Sequence, residues 1–240
     1  MTSSFQPTRW TLVVRSQGGD TSAKAALSEL CAIYYTAVIA FLKREGRSED
    51  TAREIAHGFF QKLLAGGALE KAEQARGRFR SYLLGALKHF LSDQRDRELT
   101  AKRGGAVEHI TWEPANNSSA PGLQLADHLM IPPDQAFDRE WAISLLDYAL
   151  RDLEAEMITE GKGGSFDLLK SWLTGDSDAA SQSNIANSLG ISTDSVKTSV
   201  HRLRKRFRTL IKKRISDTVE SSAQAEEELQ HLMMALRSGG

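Results

Sequence analysis

The residues best suited to bind a ligand are basic and lie close together near the end of the chain. Between Ser195 and Ser216 the sequence has nine lysines and arginines and no acidic residue. The formal net charge of the whole chain is nevertheless zero, because acids gather in 134–160 and 226–228. A segregated cluster of cations attracts a polyanion even when the total charge is balanced. The basic segment therefore predicts a contact with nucleic acid.

The residues that most often carry catalysis or metal binding have no such organisation here. The six histidines are scattered, and none has the spacing of an HExxH metal motif. Neither a glycine-rich phosphate loop nor a nucleophile elbow occurs. Cys31 is the single cysteine, which excludes an internal disulfide and a cysteine-rich zinc site. We therefore expect a protein that is not an enzyme and that needs neither a cofactor nor a metal.

The basic segment overlaps a pattern of two short helices joined by a tight turn, over 181–208. Gly190 follows the first helix, where a left-handed backbone is needed and glycine has no steric penalty. Ser192 or Thr193 can cap the second helix by accepting a hydrogen bond from its free N–H groups. The pattern is typical of a helix-turn-helix, whose second helix lies in the DNA major groove. The apolar positions are Ile185, Ala186 and Leu189 on the first helix and Val196, Val200, Leu203 and Phe207 on the second.

Polar residues off this apolar stripe are the candidates for DNA contact. Those near the start of the second helix would meet base edges, and the later cations, which include Arg206 and Lys212–Arg214, would meet phosphates. The alternative is an ordinary helical hairpin with a solvated basic face. The candidates of the recognition helix are Thr193, Asp194, Ser195, Lys197, Thr198, His201, Arg202, Arg204, Lys205 and Arg208.

The rest of the chain is predicted to be helical as well. Apolar residues recur at helical spacing, no segment alternates with period two over a useful length, and the fold class is therefore all-α. Within the second helix the pattern places both Leu63 and Leu64 inside. The predicted helices are Thr21–Arg44, Glu49–Leu64, Phe79–Arg97, Phe137–Met157, Phe166–Leu173 and Ser222–Leu236, besides the helix-turn-helix.

A segment rich in glycine, asparagine, serine and proline divides the chain. Residues 101–134 lack periodicity and form too long a stretch for an ordinary loop, so they are predicted to be a flexible linker. It separates one helical domain at 9–100 from another at 135–216, and 217–240 is a helical extension. The extension should pack a face of Leu229, Leu232, Met233 and Leu236 on the protein. Its glutamates could screen the basic recognition helix, and the alternative is a simple capping helix.

The third predicted helix combines cations with rings. Basic residues between Arg76 and Arg103 surround Phe79, Tyr82 and His89. Such interleaving suits a single strand of nucleic acid, whose unstacked bases stack on aromatic side chains. The alternative is that Phe79 and Phe90 belong to the core, which the helical period favours for both.

Amino-acid composition limits the classes of protein to which the chain can belong. Hydrophobic residues make up 40% and charged residues 26% of the 240 residues, as in a folded soluble protein. No apolar run approaches the roughly 20 residues that span a bilayer, and the N-terminus lacks the layout of a secretory signal. We expect a cytoplasmic protein that does not bind a membrane.

The order of these features resembles a known family. The segments LSELCAIYYTAVIAFLKREG, TAREIAHGFFQKLL and RGRFRSYLLGALKHFLSDQRDR, a linker, and IANSLGISTDSVKTSVHRLRKRF are similar to a bacterial RNA polymerase sigma factor of the extracytoplasmic-function (ECF) subfamily, over about 10–215. The C-terminal motif is the most specific, since such factors typically read IAxxLGISxGTVKSRLHRAR. This chain matches at Ile185, Ala186, Leu189, Gly190, Ile191, Ser192, Val196, Lys197, His201 and Arg202.

The resemblance implies both a fold and a set of partners. It implies a region 2-like and a region 4-like helical domain, which recognise the −10 and −35 promoter elements. Region 2 would also bind the clamp helices of the polymerase β′ subunit, and region 4 the β flap. The implied factor is a monomer when free, and an anti-sigma protein is left open as a further partner. By resemblance, Arg78, Arg80, Tyr82, Lys88, His89 and Arg95 belong to −10 binding, and Arg53, Glu54, His57, Phe60 and Gln61 to polymerase binding.

A second functional class fits the same helix-turn-helix. A conventional repressor or activator would use the N-terminal helices as a dimerisation or effector domain. It would bind duplex DNA without polymerase, as a dimer whose two-fold symmetry matches paired half-sites.

Overall fold

The computed structural model describes residues 21–65, 78–104, 131–173, 179–219 and 221–237. Within these ranges it contains eight α-helices, one 3₁₀-helix and no strand, which confirms the all-α prediction. The helices are α1 Thr21–Arg44, α2 Glu49–Leu64, α3 Phe79–Gly104, α4 Pro133–Thr159, α5 Gly163–Leu169, the 3₁₀-helix Lys170–Leu173, α6 Ala179–Leu189, α7 Thr193–Ser216 and α8 Ser222–Arg237.

The turn between α1 and α2 follows from local capping chemistry. Gly46 adopts a φ of 84°, and its neighbour Arg47 donates its N–H to the Leu42 carbonyl at 3.1 Å, which closes the end of α1. The Ser48 side chain then accepts the Thr51 N–H at 3.2 Å and begins α2. A turn of four residues therefore sets these two helices side by side.

The turn of the helix-turn-helix is formed by the same two features, a left-handed glycine and a serine that caps the next helix. Gly190 has a φ of 63°, and the Ile191 N–H reaches the Ala186 carbonyl at 3.0 Å. The cap of α7 is Ser192, whose hydroxyl accepts the Ser195 N–H at 3.2 Å, so Ser192 rather than Thr193 has the capping role. The predicted turn over these residues is confirmed.

Helix α4 is the element against which most of the others pack. α1 lies along it, and α7, α8 and α5 also contact it. Tyr34 of α1 and Phe137 of α4 stack with ring centroids 6.2 Å apart, and Tyr34 meets the edge of Phe79 of α3 at 5.2 Å. Buried apolar side chains from α1 to α8 form one continuous cluster. The first three helices therefore share a core with α4, while the predicted division into domains stays a prediction.

Several predicted helix boundaries need correction. α3 continues to Gly104 rather than ending near Arg97, and α4 begins at Pro133 rather than Phe137. Proline suits the first turn of a helix, because the N–H that it lacks has no partner there in any case. The helix predicted as Phe166–Leu173 is α5 followed by a 3₁₀ turn. The N-terminal residues 9–20 and most of the predicted linker lie outside the described residues.

Two predicted buried faces are also partly wrong. Leu64 is 42% exposed while Leu63 is buried, so Leu64 lies at the outer edge of the face that α2 turns toward the core. In α8 the buried residues are Glu228, Leu232 and Ala235, whereas Met233 and Leu236 are exposed. The inward stripe of α8 is thus rotated toward residue 228, which brings a carboxylate into the interior.

Candidate nucleic-acid interface

The first two turns of α7 present a polar surface. Thr193, Asp194, Ser195, Lys197 and Thr198 are all exposed, while Val196 and Val200 turn inward. Further along, His201, Arg202, Lys205 and Arg208 are exposed too. The apolar stripe thus turns the polar positions outward as the spacing predicted, which leaves nine of the ten candidates open to a ligand.

Three arginines of the basic segment bind other residues of this chain instead. Arg204, the tenth candidate, donates from Nε and Nη2 to the Trp172 carbonyl at 3.0 and 2.6 Å. Arg206 binds Glu156 of α4 at 2.8 Å and Glu160, which directly follows α4, at 2.7 Å. These guanidinium groups fix α7 to its neighbours, a role that the sequence pattern did not separate from phosphate binding.

The third of these arginines lies in the last turn of α7. Arg214 is paired with Asp152 at 2.6 Å and lies 3.5 Å from Glu29 of α1. By contrast, Lys212 and Lys213 are exposed. The acids noticed at 134–160 therefore neutralise only part of the basic segment, and the remaining cations face solvent.

The pairing of Arg206 with Glu160 changes the pKa of both groups. Hydrogen bonds from Arg206 and then Lys162 lower the pKa of Glu160 to about 2. In turn, hydrogen bonds to Glu160 and Glu156 raise the pKa of Arg206 above its ordinary value. Glu160 thus stays ionised throughout the range in which proteins usually function.

At the start of α3, two predicted −10 residues are held by acids. Arg80 is only 7% exposed, and Arg78 is paired with Glu227 and, at 3.5 Å, with Glu228. Burial disfavours the charged form of Arg80, but Glu228 and Asp138 outweigh it and raise the pKa above its ordinary value. In this arrangement carboxylates bind both guanidinium groups, and that of Arg80 is buried as well.

The later part of α3 is more accessible. Lys88 is exposed, pairs with Asp134 at 2.8 Å and lies 5.9 Å from the centre of the Phe41 ring. His89 and Arg95 are exposed, and Tyr82 is half-buried, which raises the pKa of its phenol. Phe79 is fully buried, which confirms its assignment to the core, whereas Phe90 is only half-buried and packs against that core. The open candidates of α3 are thus separated along the helix from the covered arginines.

The predicted polymerase-binding residues lie on and beside an open groove between α1 and α2. The groove has a volume of about 700 Å³, and His57, Gln61 and Leu64 line it together with Cys31 and Tyr35. The Tyr35 hydroxyl and His57 Nε2 lie 2.9 Å apart, which fixes the imidazole at the rim. The lining of the groove is mainly apolar, as is typical of the buried core of a protein–protein interface.

The other predicted polymerase residues have different environments. Phe60 is buried and forms the floor of the groove. Glu54 is exposed on the outer side of α2, and Arg53 pairs with Glu49 at 2.9 Å. The structure therefore brings His57, Phe60 and Gln61 together, and leaves Arg53 away from them.

Sequence reasoning missed the acidic and aromatic partners at the start of α3. Asp138 accepts a hydrogen bond from Arg80 at 2.6 Å, and the Arg80 guanidinium lies 5.2 Å from the centre of the Trp141 ring. Asp138 and Trp141 are one helical turn apart, but nothing local to that spacing points to an arginine far away in sequence. The signal that was present is Glu228, an acid at a position that the helical period of α8 allows to face inward.

The described residues lack both a metal-binding cluster and a membrane-spanning helix. In the ranges that the structure describes, no three histidine, cysteine, aspartate or glutamate residues are grouped so that they could hold a metal ion. Across the same ranges, no helix has the length and apolar character needed to cross a membrane.

Comparison of the chain with protein-family models, with curated proteins and with solved structures finds no match.

Proposed function

We propose that the chain is a sigma factor that binds core RNA polymerase and directs it to promoters. The observation that carries the proposal is the capped helix-turn-helix, whose second helix turns its polar first turns and several cations outward. This geometry suits insertion into a major groove, with Lys197 and Arg202 toward base edges and Lys205 and Arg208 toward phosphates.

A second surface supports a role in which the chain binds a protein as well as DNA. The groove between α1 and α2 is open and mainly apolar, and it lies at the residues where the resemblance implies polymerase binding. In this proposal the groove takes up the clamp helices of the β′ subunit, and the cations of α3 hold the melted −10 strand. The polymerase supplies the chemistry, and this chain supplies positioning and strand separation.

The conventional regulator remains the competing function, and it differs in its oligomeric state. A dimeric repressor or activator needs two copies to match paired half-sites, whereas the proposed factor is a monomer when free. Light scattering of the free chain, followed by gel filtration with bacterial core RNA polymerase, separates the two. A monomer that coelutes with core polymerase supports the proposal, and a stable dimer that binds duplex DNA tightly and ignores polymerase contradicts it.

A further inference from the structure

The start of α3 carries an ionic cluster that is buried by the C-terminal helix. Arg80 donates from Nε to Glu228 Oε1 at 2.7 Å and from Nη1 to Asp138 Oδ1 at 2.6 Å. Glu228 is 1% exposed, although charged residues are rarely buried unless they are paired. The three charges belong to α3, α4 and α8, so the cluster joins both halves of the chain.

A second ion pair extends the same contact toward solvent. Arg78 binds Glu227, whose side chain is 61% exposed, and its Nε also lies 3.5 Å from Glu228. Two adjacent carboxylates of α8 thus satisfy two arginines of α3. A carboxylate and a phosphate offer a guanidinium group similar paired oxygen acceptors. The carboxylates therefore occupy the positions that the phosphates of a bound strand would need.

Apolar and polar contacts hold α8 in this place. Leu232 and Ala235 are buried, and His231 Nε2 lies 2.8 Å from Asp138 Oδ2. In the segment that leads to α8, the Thr218 carbonyl accepts the Phe79 N–H at 3.1 Å, which ties that segment to the first residue of α3. The carboxylates are consequently presented at the arginines at the high effective concentration of an intramolecular ligand.

We infer that α8 is an autoinhibitory helix that covers a phosphate-binding site formed by Arg78 and Arg80. A nucleic-acid strand binds these arginines only when α8 leaves, so the observed affinity is lowered by the fraction of molecules in which α8 is released. A partner that binds only the released form would shift the equilibrium toward it. The inference rests on the proposed function in one respect, namely that α3 binds a strand.

This differs from the screening that the sequence suggested. The sequence leaves open whether the glutamates of α8 screen the recognition helix, and in the structure Glu227 and Glu228 bind Arg78 and Arg80 at the start of α3. The reason is the inward rotation of α8 toward residue 228. Buried ion pairs add little to stability compared with apolar residues of similar size, so a covering role accounts for charge at this place better than stability does.

Two neighbouring glutamates provide a matched test. Glu227 binds Arg78, whereas Glu226 is exposed on the same helix and forms no side-chain hydrogen bond or ion pair with a described residue. The variants E227Q and E226Q of the full chain therefore remove the same charge from adjacent positions. We expect E227Q to bind a fluorescein-labelled single-stranded DNA about two- to fivefold more tightly than E226Q does, the size of one partly exposed ion pair. Equal affinities of the two variants would overturn the inference.

A third variant tests the buried part of the contact. E228Q should raise hydrogen–deuterium exchange of the α8 amides and strengthen binding of the same DNA at least about tenfold over E226Q, because a buried pair is broken. Faster exchange of α8 without tighter binding would overturn the inference. If E228Q does not fold, the comparison of E227Q with E226Q still decides.

Core-polymerase binding of the same variants is measured in parallel. Its absence would reject the proposed sigma factor without changing the comparison between E227Q and E226Q. Absence of DNA binding in every variant, although α8 exchanges faster in E228Q, would overturn the inference itself.

Discussion

Arg214 of α7 binds Asp152 of α4 through two parallel hydrogen bonds, from Nε to Oδ2 at 2.6 Å and from Nη2 to Oδ1 at 2.7 Å. This fork joins the end of the proposed recognition helix to the helix on which most others pack. The basic segment of α7 therefore has two kinds of cation, those that hold the fold and those that face solvent.

Lysine at position 214 should weaken the fold. Lysine donates from a single point and cannot reproduce the fork, so R214K should lower the free energy of unfolding by about 1–2 kcal/mol. Urea unfolding followed by circular dichroism measures this. The matched control is R208K, at an exposed arginine of the same helix, which should stay within about 0.5 kcal/mol of the parent chain. Equal losses in the two variants would contradict the assignment.

DNA binding should separate Arg208 from Arg206. R208A should reduce the slope of log affinity against log salt by about 1, because one phosphate contact is lost. R206A should leave that slope unchanged, since Glu156 and Glu160 already hold this guanidinium. Fluorescence anisotropy with labelled duplex DNA over a range of salt concentrations gives both slopes. A reduction in R206A as large as in R208A would show that the ion pairs open on binding.

Acid should weaken the fold partly through Glu160. Its pKa falls from an ordinary 4.5 to about 2, so its ionised form contributes stability above about pH 4.5 that is lost as the pH falls toward 2. E160Q should remove this part of the acid dependence. The free energy of unfolding of E160Q should therefore change less than that of the parent chain as the pH falls from about 4.5 to about 2. D147N is the control, because Asp147 is exposed on α4, which Glu160 follows, and forms no side-chain hydrogen bond or ion pair with a described residue. Parallel curves for E160Q and the parent chain would refute the role of Glu160.

A charge in the groove between α1 and α2 should impair polymerase binding. Leu64 is 42% exposed at this groove, so L64D should leave the fold intact and weaken binding to immobilised core polymerase at least about tenfold, as loss of an apolar anchor does. I158D is the control, at an apolar residue that is 61% exposed on α4 and does not line the groove. If both variants bind core polymerase equally well, the groove is not the binding surface.

Much of the helical architecture is predictable from the sequence because it depends on local signals. The ends of α1 and α2 coincide with those that apolar spacing and the turn residues predict, and Gly190 ends α6 where a left-handed residue is needed. Helix ends without a glycine or a side-chain cap are less certain. No glycine follows Arg97 directly, the predicted end of α3, and the helix continues past it to Gly104.

The candidate site is less predictable because it depends on partners distant in sequence. The composition of α7 indicates a basic surface, but which arginines are free depends on where α4 places Asp152, Glu156 and Glu160. Likewise, no local pattern shows that Arg80 will meet Glu228 from a helix near the other end of the chain. Tertiary packing decides which charges are available to a ligand.

The most direct test of the proposed function is transcription in vitro. Bacterial core RNA polymerase is mixed with the full chain and with genomic DNA fragments, and the run-off products are resolved by length. We predict discrete transcripts that appear only when the chain is present, and that are lost when exposed residues of the recognition helix are replaced, as in K197A/R202A. Absence of any chain-dependent transcript, together with absence of binding to core polymerase, would contradict the account.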